Sequence, residues 1–242
     1  MSGPVAAVQA SSPVQAPAFT RLLARLAGAE IPASGPALAE RLGQWLDWNR
    51  AVGLSRALDG RLPDPVPTAS ARSDDMADGA RVRASLAEAI GNERGLNLAA
   101  TAAADFAPFR RYALATQRAM QAASGRLRGQ LREHLAAVPA LARLAEVDAL
   151  MEQTLSPREA SVLAGVPLLL EARFEQLRAS AGPPVVELPH ALAAGTAGAL
   201  ALPPEPASWL AVFRGDLKDV LLAELDVRFH PIEGLLAALR TC

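Results

Sequence analysis

The chain has 242 residues, a formal net charge of −1 at pH 7 and a 51% hydrophobic composition that is rich in alanine. This charge balance excludes a globally basic nucleic-acid binder and leaves only local positive patches. Alanine favours helices but buries little surface, and aromatic residues make up only 4% of the chain. Runs of alternating polarity are short, so the sequence predicts an all-α protein. We expect an elongated helical bundle with one long amphipathic helix and flexible Ala/Pro-rich linkers.

The cysteine content and the apolar stretches bear on the cellular compartment. Cys242 is the single cysteine, which excludes an intrachain disulfide and fits a reducing environment. Residues 1–17 lack the basic and apolar regions of a signal peptide and are predicted to be a disordered tail. The longest uncharged stretch, 188–204, is too short and too weakly apolar to span a bilayer. We therefore expect a cytoplasmic protein without direct membrane insertion.

The N-terminal part of the chain is predicted to contain three helices. The first is a short amphipathic helix at 19–27, and the second follows Pro36 and runs towards residue 58. A proline-rich connector at 60–73 comes next. Either Asp74 or Asp75 is placed to cap the third helix.

The most informative segment is 109–138, which reads as one long helix with two different sides. At 100° per residue, the apolar residues of this helix fall within about 40° of one another around its axis. That side consists of Phe109, Ala113, Met120, Leu127, Leu131 and Val138. The arginines share a sector of roughly 160° opposite. They are Arg110, Arg111, Arg118, Arg126, Arg128 and Arg132.

Each side of this helix has two interpretations. The apolar side either forms a coiled coil with a second copy or another protein, or is covered by the helices of 139–180. The arginines either contact the phosphates of a nucleic acid or pair with carboxylates within the chain. Residues 105–138 carry a net charge of +4 and residues 139–180 carry −2, which would suit such pairing.

The C-terminal half is predicted to contain further helices separated by prolines. Pro139 starts one helix, and Ser156-Pro157 gives a start signal for the next, which Pro167 should kink. A flexible linker at 181–206 leads to a helical segment at 207–242, which His230-Pro231 should interrupt. We therefore expect a helical domain at 18–180 and a separate C-terminal segment.

No residue cluster in the sequence indicates catalysis, a cofactor or a metal site. The histidines at 134, 190 and 230 show no ligand spacing, and His134 is predicted to lie on a helix surface. The sequence lacks a nucleophile elbow and a phosphate-binding glycine loop. Asp216, Asp219, Glu224 and Asp226 are predicted to form a solvated acidic surface. Without a visible polar cluster, a small-ligand bundle is disfavoured, and we expect a protein that is not an enzyme.

Tryptophan and phenylalanine residues are candidates for a partner interface, because these types dominate binding energy at interfaces. Trp48, Trp209 and Phe213 are the candidates here. For Trp45 and Trp209, core packing is the default interpretation.

Three segments together resemble a proteobacterial family of unknown biochemical function. They are residues 40–47 (ERLGQWLD), residues 156–178 (SPREASVLAGVPLLLEARFEQLR) and residues 209–239 (WLAVFRGDLKDVLLAELDVRFHPIEGLLAAL). Members of that family are encoded beside a MotA/TolQ-like proton-channel protein and an OmpA/MotB-like peptidoglycan-binding protein. The set is similar to the type III Zorya anti-phage defence systems, in which an ion-driven membrane motor works with two cytoplasmic accessory proteins. The resemblance implies that this chain is one of those two.

Two functions follow as expectations. The first is a non-enzymatic helical adaptor that contacts the companion accessory protein, the cytoplasmic tail of the motor or a second copy of itself. The second is a nucleic-acid-binding component that uses the arginine face of 109–138. The first is favoured, because the resemblance and the missing catalytic groups both agree with it.

Overall fold

The computed structural model describes residues 16–31, 38–60, 72–92, 105–181 and 206–241. Within these ranges every regular element is an α-helix, which confirms the all-α prediction. The helices are α1 (Ala18–Ala27), α2 (Leu38–Trp45), α3 (Trp48–Asp59), α4 (Arg72–Gly91), α5 (Ala107–Ala136), α6 (Ala142–Leu163), α7 (Val166–Ser180) and α8 (Pro206–Arg240). The predicted tail, the connector and the linker fall almost entirely outside the described residues. No helix among the described residues is long and apolar enough to cross a membrane.

The two longest helices, α5 and α8, form the centre of the core. Helix α8 packs mainly on α5 and also contacts α1, α4 and α7. The apolar side of α5 is buried from Phe109 to Leu131, and α8 is buried at every third or fourth residue. The C-terminal segment is therefore part of the same core as 18–180, not a separate unit. Because α8 and its neighbours cover the apolar side of α5, that side is not free for the predicted coiled coil.

An aromatic cluster fills one end of this core. Phe106, Phe109, Phe174 and Phe213 lie with ring centroids 5.1–6.1 Å apart, mostly edge to face. Trp209 adds an edge-to-face contact with Phe174 at 5.2 Å. Such pairs contribute about 0.5–1.5 kcal/mol each beyond the area they bury. Phe213 is fully buried, so the structure assigns it to the core instead of the predicted interface.

Three prolines act differently from their predicted roles. Pro157 and Pro231 lie inside continuous helices, and the predicted breaks at these positions are wrong. An internal proline removes one backbone hydrogen bond, but packing on both sides can hold the helix together. Ile232 and Leu235 are buried just after Pro231 and provide such packing. Pro167 occupies the first turn of α7, where proline is tolerated, so it starts a helix and does not kink one.

The predicted second helix is divided in two, and its second part, α3, packs along α6. The side chain of Asp47 accepts a hydrogen bond from the Arg50 amide at 2.9 Å and so begins α3. At the other end Arg143 donates to the carbonyls of Ala57 at 2.9 Å and Gly60 at 3.3 Å. These bonds satisfy carbonyl groups that the end of a helix leaves unpaired. The arginine thus fixes the end of α3 to α6.

Polar contacts connect α4 to both ends of α5. The Nδ1 atom of His134 lies 2.8 Å from a carboxylate oxygen of Asp75, which is buried. His134 is thus a half-buried inter-helix partner and not the surface residue that the sequence predicts. Near the other end the hydroxyl of Tyr112 donates to the carbonyl of Ile90 at 3.0 Å. Burial raises the pKa of this hydroxyl, which keeps it protonated as a donor.

Candidate functional site

The arginines of α5 divide into three that are paired within the chain and three that are exposed. Arg110 pairs with Glu171 on α7, while Arg128 and Arg132 pair with carboxylates on α6. The paired arginines follow the predicted charge complementarity between 105–138 and 139–180. Half of the predicted arginine face is therefore engaged within the chain, although the pair of Arg110 with Glu171 remains partly exposed.

The arginine pairs on α6 are largely shielded from solvent. Arg128 donates from Nε and Nη2 to the two oxygens of Asp148, at 2.9 and 2.7 Å. Their side chains are only 15% and 10% exposed. Arg132 contacts Asp148 at 3.3 Å and also binds Glu152. Burial lowers the pKa of Arg132, but the two carboxylates outweigh this and raise it overall. Bidentate pairs of this kind are stronger than ordinary surface pairs.

The other three arginines remain on the solvent side of α5. Arg111, Arg118 and Arg126 are exposed and have no ion pair within the described part of the chain. They lie at positions i, i+7 and i+15, within roughly 80° of one another around the axis. At 1.5 Å per residue they form a stripe of about 22 Å. This stripe is what remains of the predicted positive face.

A buried polar cluster lies where α5, α6 and α8 meet, and the sequence did not reveal it. Glu224 has no solvent exposure, although it was predicted to lie on an acidic surface. Gln117 donates to its Oε2 at 2.8 Å, and Arg228 donates to its Oε1 at 3.0 and 2.8 Å. A third nitrogen of Arg228 lies 3.3 Å from Glu159 on α6. Both oxygens of the buried carboxylate are therefore satisfied, as burial of a charge requires.

The arginine pairs on α6 and the buried polar cluster border the same cavity, which has a volume of about 220 Å³. Its walls come from α5, α6 and α8, and its polar lining includes Ser124, Arg128, Glu152, Ser156, Glu159 and Arg228. A small-ligand bundle was disfavoured for want of a polar cluster, and this cavity removes that objection. We call it the polar cavity below.

A second candidate site is the outer face of α3. Trp48 is 81% exposed and Leu58 is 49% exposed. Ala51 and Ser55 lie between them, at helical spacing and also exposed, so the stripe carries no charge. Trp45 is half-buried and lies 5.0 Å below the guanidinium of Arg158, which places the α2–α3 corner beside α6. Of the predicted interface residues, Trp48 alone is fully accessible, since Trp209 is half-buried beside Phe174.

The sequence matches a protein family described as a protein of unknown function, DUF3348, over residues 5–241. The chain belongs to the DUF3348 family. No curated protein and no solved structure matches it. In this DUF3348 chain the match covers the helices that form the polar cavity and also the outer face of α3. Both candidate sites therefore lie within the region that the family shares.

The potential metal ligands among the described residues of this DUF3348 chain are dispersed. Among them, no group of three or more His, Cys, Asp or Glu side chains is placed to hold a metal ion. The histidine partner that the structure does provide, Asp75 for His134, is a single carboxylate. A metal site needs several such ligands at bonding distance.

Proposed function

We propose that this DUF3348 protein is a non-enzymatic helical adaptor that acts through protein–protein contacts. It serves as an accessory protein of an ion-driven motor-type anti-phage defence system. The outer face of α3 carries the proposal, because it presents Trp48 and Leu58 to solvent from one helix. An exposed tryptophan of this kind is typical of residues that dominate binding energy.

The way α3 is held supports this role. Its inner side packs on α6, where a Cβ at Gly53 would lie 3.1 Å from the side chain of Leu150. Arg143 binds its C-terminal carbonyls and Asp47 caps its N-terminus. A face that is already fixed loses little conformational freedom on binding, which favours affinity.

The partner is proposed from the resemblance to type III Zorya systems. The companion accessory protein of the same gene cluster is the first partner, and the cytoplasmic tail of the motor is the second. A second copy of the chain is the remaining occupant of the α3 face, and measurement of the molar mass in solution distinguishes it.

The test is a co-purification of the tagged full chain with the companion protein and the motor pair from native cells. We expect the double variant Trp48→Ala/Leu58→Ala to recover these partners at least tenfold less, because hot-spot truncations cost about 2 kcal/mol or more. The matched control is Leu144→Ala, which truncates a 38% exposed leucine on α6. Recovery should survive nuclease treatment. Equal recovery by the double variant and the wild-type chain would refute the α3 face as the interface.

A second candidate function is nucleic-acid binding by Arg111, Arg118 and Arg126. Their exposure on one stripe is the observation that favours it. Each phosphate contact adds about −0.9 to the slope of log K against log salt concentration, so three contacts give about −3 and six give about −5. Fluorescence anisotropy with a DNA duplex at several salt concentrations measures this slope. We expect about −3, abolished in the triple variant of these residues to glutamate, and an unchanged affinity in that variant would exclude this function.

A further inference from the structure

We propose that the polar cavity binds a small organic cation, namely an alkylammonium or guanidinium group. This inference is independent of the α3 face and adds a ligand site to the adaptor role. It depends on the charge of the ion-pair networks that reach the cavity, on the hydrogen-bonding groups that remain available there, and on the size of the cavity.

The charged residues that line the cavity are balanced, with Arg128 and Arg228 against Glu152 and Glu159. The ion-pair networks that these residues belong to extend behind the lining and carry an excess of negative charge. These networks contain three guanidinium groups, which belong to Arg128, Arg132 and Arg228. They meet four carboxylates, which are Asp148, Glu152, Glu159 and Glu224. Every carboxylate has an arginine partner, but the described residues of these networks together carry a net charge of −1. A partly shielded site with this excess attracts a cation.

The arginines at the cavity are already engaged, which disfavours an anion as the ligand. Arg128 directs two nitrogens at Asp148 and a third lies 3.7 Å from Glu152. Arg228 directs two nitrogens at Glu224 and a third at Glu159. A phosphate or carboxylate ligand would meet arginines whose charge is already neutralised, in networks with an excess of carboxylates. Acceptor oxygens remain available, since only one oxygen of Glu159 has a partner within the described chain.

Helix α8 adds a further acceptor at the same place. Proline has no amide hydrogen, so Pro231 cannot donate to the carbonyl of Val227 four residues earlier. Both residues border the cavity. The carbonyl of Val227 therefore lacks its usual helical partner. An ammonium group carries three donors and a guanidinium carries five, which suits a set of carboxylate and carbonyl acceptors.

The size of the cavity fits a small cation. A cavity of about 150 Å³ holds one benzene molecule. The polar cavity, at about 220 Å³, has room for a chain of four carbons with a charged head and some water. The same dimensions fit the end of a lysine or arginine side chain, so either a free amine or a basic side chain of a partner would supply the same chemistry.

The test is isothermal titration calorimetry on the full chain at low salt. The probes are n-butylammonium and n-butylguanidinium as free cations, and Nα-acetyl-lysine methylamide as a model of a side chain. Butyrate and n-butanol are the anionic and neutral controls of the same length. We expect saturable binding of at least one cationic probe and no binding of either control. Tighter binding of the blocked lysine would assign the site to a partner side chain, and tighter binding of the free cations would assign it to a small amine.

Two variants connect the binding to the cavity. Glu159→Gln removes one carboxylate and should weaken binding at least tenfold, since hydrogen bonds to charged groups are stronger than those to neutral groups. Gly125→Leu should abolish binding, because Gly125 borders the cavity and a Cβ there meets nothing within 4 Å. The controls are Glu146→Gln, which is exposed on α6, and Gly129→Leu, which has equally open space outside the cavity lining. Both controls should bind like the wild type.

Several results would overturn the proposal. These are a wild-type chain that binds no cationic probe, a chain that binds butyrate as tightly as butylammonium, and equal binding by Glu159→Gln and the wild type. Because a leucine in place of either glycine removes a helix-weakening residue, the glycine variants should keep their helical circular dichroism. A folded Gly125→Leu variant that still binds the cation would place binding elsewhere and also contradict the proposal.

Discussion

Phe213→Ala is expected to lower the free energy of unfolding by about 3–5 kcal/mol, because it removes a fully buried ring from the aromatic cluster. The ring makes edge-to-face contacts with Phe109 and Phe174, at 5.1 Å each, and with Phe106 at 6.1 Å. The ring therefore lies where α8 packs on α5 and α7. Urea denaturation followed by circular dichroism, with linear extrapolation to water, measures the change.

Trp48→Ala is the matched control for this prediction. Both residues are aromatic and both were predicted as interface residues, but Trp48 is 81% exposed. Surface substitutions away from special features usually change stability by no more than about 0.5 kcal/mol. A large loss at Trp48 with a small loss at Phe213 would reverse the assignment of core and surface. The expected order is a strong effect at Phe213 and almost none at Trp48.

The extent of α5 could be predicted because its signal is long and periodic. The pattern gives 109–138, and the helix runs from Ala107 to Ala136. The pairing of α5 with α8 could not be predicted in the same way. The two helices are separated by about 70 residues, including the Ala/Pro-rich stretch that suggested a linker. Periodicity shows that a helix has an apolar side but not which partner covers it.

The proline errors have one physical origin. The Ser156-Pro157 signature with Glu159 is a valid start signal, yet α6 continues through it from Ala142 to Leu163. A proline costs one hydrogen bond and a local clash, whereas burial of residues on both sides of it stabilises the continuous helix. Tertiary packing therefore decides whether a helix continues through a proline, and local sequence signals carry no information about that packing.

The sequence predicts that the arginines of α5 either pair within the chain or face a partner, but it does not show which arginine does which. Relative to Arg111, the paired residues Arg110 and Arg128 lie at about −100° around the α5 axis, while the exposed Arg118 lies at about −20°. Which sector meets the carboxylates depends on how α5 is rotated against α6 and α7. That rotation is set by burial of the apolar side on α8. Spacing within α5 alone does not determine it.

The buried polar cluster beside the polar cavity is the least predictable feature, because its parts are far apart in the sequence. Gln117 and Glu224 are 107 residues apart and meet at 2.8 Å. An acidic residue on a helix with neighbouring acids is normally solvated. Glu224 instead points to α5 and is buried, as are Val220 and Leu225 on either side of it. Arg228 donates a hydrogen bond to its carboxylate. The one available signal was the apolar spacing of α8, which places position 224 on the buried side.

Glu224→Ala is expected to destabilise the chain by about 3–5 kcal/mol. The substitution leaves Arg228, only 10% exposed, with the single contact to Glu159 at 3.3 Å. Removing one member of a buried ion pair leaves an uncompensated charge, which costs far more than the pair contributes. The control is Asp219→Ala, an exposed acid on the same helix, which should stay within about 0.5 kcal/mol of the wild type.

A double variant separates this charge penalty from the loss of packing. If the cost comes from the unpaired guanidinium, Glu224→Leu/Arg228→Met should be more stable than Glu224→Leu alone, since the second substitution removes the stranded charge. If the cost comes from lost packing, the destabilisation caused by the second substitution should add to that of the first. Urea denaturation of the three chains measures the coupling. We expect recovery in the double variant, because Glu224 and Arg228 act as one charge-balanced unit at the wall of the polar cavity.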